Sequence, residues 1–85
     1  MSKKYGKWIP VEERLPDDPE VEVSNLIEIE ANLDLLEEHI VTLENAEVAT
    51  MYYIGNGEWW DVITQQIYWP LAWMQMPEAY VSVKR

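Results

Sequence analysis

The chain has no cysteine, no phenylalanine, three glycines and one histidine among its 85 residues. Without cysteine there is no disulfide framework and no thiolate metal site, a composition that fits a reducing cytoplasm. Any His-dependent triad would have to use His39, and no motif sets a serine nucleophile beside it. The plainer reading of His39 is a partly exposed side chain at the end of an acidic helix. A zinc site with one His and no Cys lacks its usual donors. Asp17, Asp18 and Glu20 offer oxygens to a hard cation, but the spacing and central Gly of a calcium loop are missing. Gly55-Asn56-Gly57 is too short for a phosphate loop and has no Lys and helix after it. Acidic pairs exist on paper for glycosidase chemistry, yet no motif fixes two of them across a cleft. The expectation is a protein that is not an enzyme and carries no cofactor or metal.

Bases are scarce as well. Six Lys and Arg stand against sixteen Asp and Glu, for a net charge of −10. Nucleic-acid binding needs a basic stripe, so direct binding of DNA or RNA is excluded. No apolar run approaches the roughly 20 residues of a membrane helix. The start, Met1-Ser2-Lys3-Lys4-Tyr5-Gly6-Lys7, has the charge of a signal sequence but no apolar stretch after it. A soluble, cytoplasmic protein is expected.

What is present is 48% hydrophobic, with five Trp and five Tyr as its aromatic bulk. That content argues against disorder, and the length fits one domain, residues 1–85. Prolines at 10, 16 and 19 keep the first block extended, with a turn at Asp17-Asp18-Pro19. The block from Val21 to Leu43 carries two patterns. Val21, Val23, Ile27 and Ile29 alternate as in a strand, whereas Leu26, Ile29, Leu33, Leu36, Ile40 and Leu43 recur at helical spacing. Asn25 with Glu28 three residues on reads as a capping box. The longer stripe predicts a helix over 25–38 that packs on a sheet. Ile40 to Leu43 begins a strand, Glu44 to Glu47 makes a turn, and Val48 to Ile54 returns. Gly55-Asn56-Gly57 closes a hairpin into Glu58–Val62. Ile67 to Met74 is a further extended segment, broken at Pro70 as on an edge or at a bulge. Met76-Pro77-Glu78 ends the domain, and the tail to Arg85 is expected to fray. The expected fold is α+β, an antiparallel three- to four-stranded β-meander with one packed α-helix.

Some of these residues form a recognisable pattern. Trp8-Ile9-Pro10-Val11-Glu12-Glu13-Arg14-Leu15-Pro16 resembles the opening signature of a family of small phage and prophage proteins, domain of unknown function 551. Ala72-Trp73-Met74-Gln75-Met76-Pro77-Glu78 resembles that family's ending, and Tyr52-Tyr53 with Gly57-Glu58-Trp59-Trp60 its middle hairpin. The resemblance covers roughly residues 7–16 and 40–78. It implies a phage or prophage origin, hence a bacterial host cytoplasm, and no activity. The chain departs from the pattern by about twenty extra residues, Val21 to Glu38, and by a reduced Pro-rich ending.

The charge layout adds a functional expectation. Residues 12–47 hold thirteen acids and one base, Arg14, for a net −12. Such a segment attracts and steers a basic partner, although solubility alone also accounts for it. The first reading is a non-enzymatic acidic interaction protein that docks on a basic surface of a host protein. Its particular form is nucleic-acid mimicry in the channel of a defence protein, as an anti-CRISPR or other anti-defence inhibitor would act. The residues assigned to partner binding are Glu28, Glu30, Asp34, Glu37 and Glu38, with Trp60 as an apolar anchor. Trp59 and Trp60 are adjacent, so a strand must point them to opposite faces. The plainer reading of the second face is that the insertion covers it. Two alternatives remain: a small-ligand or carbohydrate module built on the Trp cluster, and a homodimer paired through the Leu26–Leu43 stripe.

Overall fold

In the computed structural model, residues 7–77 are described. The expected fraying of the tail to Arg85 concerns residues outside this range. Six strands form one antiparallel sheet: β1 (Ile9–Pro10), β2 (Glu38–Thr42), β3 (Val48–Gly55), β4 (Glu58–Asp61), β5 (Gln66–Tyr68) and β6 (Ala72–Gln75). Their spatial order is β1-β6-β2-β3-β4-β5. One α-helix, α1 (Leu26–Ala31), and a 3₁₀ turn over Leu33–Leu35 lie between β1 and β2.

The β2–β5 meander follows from its turns. The β2–β3 turn is closed by Leu43 N–H donating to the Glu47 carbonyl at 2.8 Å, with the Asn45 side chain accepting from Glu47 N–H. Asn56 and Gly57 both have positive φ, 56° and 77°. That is the backbone of a type I′ turn, whose twist matches the flanking strands. Asp61 accepts from Ile63 N–H at 2.8 Å and begins the turn into β5.

The last extended segment is two strands, not one. Pro70 has no N–H to give a ladder, and the chain leaves β5 there to pair β6 with β2 and β1. Only residues 69–71 make this crossing. Four extended residue steps reach about 14 Å, whereas four strand spacings of a flat sheet reach about 19 Å. The sheet therefore curls into an open barrel. Its inner face shows the curl directly: the Trp59 and Trp73 rings, on β4 and β6, have centroids 6.4 Å apart. The opening and ending signatures meet in the same place, where Ile9 pairs with Trp73.

Each face of the sheet has its own core. Val41, Met51, Tyr53, Trp59 and Trp73 fill the inner one. Ile54 and Trp60 on the outer face are covered by Ile29 and Leu36, with Val21, Val23 and Leu33 packed at the margin. The insertion is thus a lid on the outer face.

The expected helix over 25–38 is corrected to six residues. Asn25 caps it, accepting from Glu28 N–H at 2.9 Å. Asn32 ends it: its amide donates to the Glu28 carbonyl at 2.8 Å, and its N–H bonds the Ile29 carbonyl at 3.1 Å. Such local side-chain bonds compete with helix continuation. The stripe serves the lid as far as Leu36, and Ile40 then belongs to β2. The coarse expectation holds, a helix packed on an antiparallel sheet, but the strands number six rather than three or four. The extended stretches that hold β1 and β6 were read, but not their pairing into the sheet, because that pairing is non-local. Among the described residues no helix is long and apolar enough to cross a membrane.

Candidate functional site: an acidic groove floored by His39

Residues 17–24 run as an extended strap across one end of the sheet. Prolines at 16 and 19 hold it out of a helix. It is tied down at Tyr53, whose hydroxyl donates to Asp18 Oδ1 at 3.1 Å and accepts from Gly57 N–H at 3.0 Å. Burial raises the Tyr53 pKa above its ordinary value of 10.0 despite the Gly57 bond, so the phenol remains a donor. Gly55 sits at φ 100°, a backbone that favours glycine, and a Cβ there would make ordinary contact with the strap, 3.5 Å from Pro19 Cδ and 3.8 Å from Asp18 Cγ.

The strap leaves three adjoining hollows. The first, about 490 Å³, is lined by Asp18, Glu22 and Glu28 with Ser24 and Asn56. The second, about 270 Å³, is lined by Asp17, Asp18, Glu20 and Glu37 and has His39 and Tyr53 in its wall. The third, about 230 Å³, is bounded by Glu37, Glu38, His39 and Gln75. The first two share Asp18 and the last two share Glu37 and His39, so they lie side by side and are together called the groove. Among the described residues seven carboxylates line it and no Lys or Arg does.

His39 is the anomaly of this groove. It was expected to be partly exposed at a helix end, but the early stop of α1 puts it in β2. Alternation then turns it inward with Val41, and only 3% of it is exposed. Its ring meets Trp59 and Trp73 edge-on, with centroids 5.5 and 5.2 Å away. Nε2 lies 3.7 Å from Glu37 Oε1, beyond hydrogen-bond reach. Nδ1 is buried without a partner among the described residues. Burial lowers the His39 pKa below 6.5, outweighing the opposing pull of the Glu37 carboxylate. The imidazole is therefore neutral at neutral pH. On the far side of Trp73, the Arg14 guanidinium stacks 5.4 Å from the ring centroid, and the Arg14 carbonyl accepts from Trp73 Nε1–H at 2.9 Å.

The residues assigned from the sequence divide. Glu28, Glu37 and Glu38 line the groove. Glu28 is also held locally: its Oε1 accepts from Ser24 N–H and Oγ–H at 2.8 and 2.9 Å, which lowers its pKa below 4.5, the backbone bond acting most. The Asn25 half of the expected capping box forms as read, while the reciprocal Glu28 bond goes to Ser24 instead of Asn25. Glu30 lies away from the groove and accepts from Gln65 Nε2 at 2.8 Å, and Asp34 is exposed outside it. Trp60 is corrected outright. It is 3% exposed beneath Ile29 and Leu36 and presents no surface to a partner.

Trp59 and Trp73 are buried too, so of the Trp cluster only Trp69 stands open. The stripe read as a dimer seam is spent in part on the sheet, where Ile29 and Leu36 are buried. Asp17, Asp18, Glu20 and Glu22 also line the groove and were not assigned from the sequence. A run of acids held extended between prolines was the available signal. Among the described residues no three His, Asp or Glu side chains cluster closely enough to hold a metal ion.

Fold and groove define a small antiparallel β protein with a helical lid and an acidic cleft. No family model, curated protein or solved structure matches this chain.

Proposed function

We propose that this chain is a non-catalytic binding protein whose groove docks a basic surface of another protein. The observation that carries the reading is the row of adjoining hollows lined by seven carboxylates, with no Lys or Arg among the described residues that line it. Like charges held together on a folded surface raise the local potential and attract a cationic patch at long range. In its finer form, the partner surface is the nucleic-acid channel of a host defence protein, with carboxylates standing where phosphates would lie. The resemblance of residues 8–16 to phage and prophage proteins supports that setting.

The test compares two variants of equal charge. One neutralises the groove (Asp17→Asn, Asp18→Asn, Glu20→Gln, Glu37→Gln). The other neutralises distant acids (Glu12→Gln, Glu13→Gln, Glu44→Gln, Glu47→Gln). Binding of a fluorescent oligolysine peptide is read by anisotropy at low and high salt. The groove variant is expected to lose roughly tenfold or more in affinity, since charged contacts of this kind are each worth about 1 kcal/mol or less when exposed and several are lost together. Equal losses in both variants would reduce the acidity to bulk charge. For the finer form, DNA must compete with the chain for proteins captured from a bacterial lysate; capture that DNA leaves unchanged contradicts it.

A second reading rests on Trp69, which is exposed beside Tyr68 and Asn45 in an open hollow of about 400 Å³. A flat sugar face stacks on such a ring. A tryptophan fluorescence titration with a carbohydrate panel tests it, and an unchanged spectrum removes it.

A further inference from the structure

We infer that Asn56-Gly57, in the β3–β4 hairpin, is a self-modification site at which the Gly57 nitrogen closes on the Asn56 side chain, and that the Tyr53 hydroxyl holds this reaction back. The inference is independent of the groove reading.

The chemistry selects one of the chain's four asparagines. The reaction needs an unhindered backbone nitrogen next to the side-chain amide. Asn25 and Asn32 are followed by leucine and Asn45 by alanine, whereas Asn56 is followed by glycine. The missing Cβ of glycine leaves its nitrogen open to close approach. The other three side chains are engaged by backbone: Asn25 accepts from Glu28 N–H, Asn45 accepts from Glu47 N–H, and Asn32 donates to the Glu28 carbonyl. Asn56 is exposed, and its side chain makes no hydrogen bond among the described residues.

The step balances with water alone. The Gly57 nitrogen gives its proton to water and its electron pair to Asn56 Cγ. The new C–N bond forms as the side-chain nitrogen takes up a proton and leaves as ammonia, which closes a cyclic imide. Water then opens the ring. Opening at Cγ gives aspartate; opening at the backbone carbonyl gives isoaspartate, with the main chain running through the former side chain. In sum one water enters, one ammonia leaves, and nothing is oxidised or reduced.

Two features of the fold restrain this step. Asn56 and Gly57 are held at φ 56° and 77° in a two-residue turn. The attacking nitrogen is also occupied: Gly57 N–H donates to the Tyr53 hydroxyl at 3.0 Å, and that hydroxyl is fixed in turn by donating to Asp18 at 3.1 Å. The bond to Tyr53 must break before the nitrogen can lose its proton. The two products then differ. Aspartate fits the same turn and adds a carboxylate to the hollow that Asn56 lines with Asp18, Glu22 and Glu28. Isoaspartate lengthens the main chain inside the turn. It therefore disrupts the Gly55–Glu58 pairing and the Gly57–Tyr53 bond.

The experiment ages the full chain in warm, mildly alkaline buffer, with and without denaturing guanidinium. Peptide mapping by mass spectrometry locates the amide-to-acid change, and chromatography separates aspartyl from isoaspartyl peptides. Conversion is expected at Asn56 ahead of Asn25, Asn32 and Asn45, and more slowly in the folded chain than in the unfolded one. Tyr53→Phe should speed it roughly fivefold in the folded chain, the worth of about one neutral hydrogen bond, and leave the unfolded rate unchanged. Should Tyr53→Phe fail to fold by circular dichroism, the unsubstituted chain decides: across low guanidinium concentrations, Asn56 conversion and Gly57 amide exchange should rise in step. Conversion no faster at Asn56 than at the other three asparagines overturns the site. A folded rate that Tyr53→Phe leaves unchanged, or Gly57 exchange that rises without conversion, overturns the restraint by Tyr53.

Discussion

Truncating Ile29 to Ala tests whether the Val21–Glu38 insertion is a structural lid. Ile29 is 4% exposed and packs with Leu36, Ile54 and Trp60. The helix that carries it is six residues long, too short to hold itself in water, so its order depends on this contact. The substitution removes three buried carbons, or about 2.4 kcal/mol of transfer free energy at about 0.8 per carbon. The cavity left behind raises the expected loss to roughly 3 kcal/mol. A chain of this size is stable by roughly 4–13 kcal/mol, so the loss is a large fraction of the whole. It corresponds to a melting point lower by roughly 12–24 °C. Ile27 sits on the same helix but is 78% exposed, and Ile27→Ala should stay within about 0.5 kcal/mol. Urea unfolding followed by tryptophan fluorescence measures both. A loss below about 1 kcal/mol for Ile29→Ala, or equal losses for the two variants, would refute the lid.

Other predictions concern the strap and the groove floor. Gly55→Ala places a side chain at φ 100° and should cost about 1–2 kcal/mol, measured by the same denaturation; a neutral result would mean that the turn relaxes away from the positive φ at no cost. Tyr53→Phe removes the hydroxyl between Asp18 and Gly57 N–H and should cost about 1 kcal/mol, with faster amide exchange at Gly57; unchanged exchange there contradicts the anchor. Because the His39 pKa is lowered on folding, the unfolded chain takes up its proton first as the pH drops. Stability should therefore be fullest above 6.5 and decline below it. Urea midpoints that rise as the pH falls from neutrality to about 5 would contradict a buried neutral His39.

Local signals in the sequence carried further than long-range ones. Most of the β2–β5 meander was readable from its turns, Glu44 to Glu47 and Asn56-Gly57, whereas the turn capped by Asp61 was not read. The opposed faces of Trp59 and Trp60 followed from strand alternation. The pairing of β6 with β2 and β1 was not readable, since nothing near Ala72–Gln75 names partners some thirty and some sixty residues away. The helix was overextended because Leu36 and Ile40 continue the stripe's spacing, while the stop lies in one polar side chain, Asn32. That error hid His39, for a helix end faces water and a strand alternates. Part of the groove was visible in Glu28, Glu37 and Glu38. The strap acids were read as a turn, because their gathering depends on Tyr53 holding Asp18 across the sheet.

The most direct test of the docking account is an NMR map of the oligolysine-bound chain. The account predicts amide and side-chain shifts concentrated at residues 17–22, 37–39 and 53–56, with Glu12, Glu13, Glu44 and Glu47 unmoved. Shifts of equal size at all exposed acids would contradict it, because the charge would then act as a diffuse cloud with no groove.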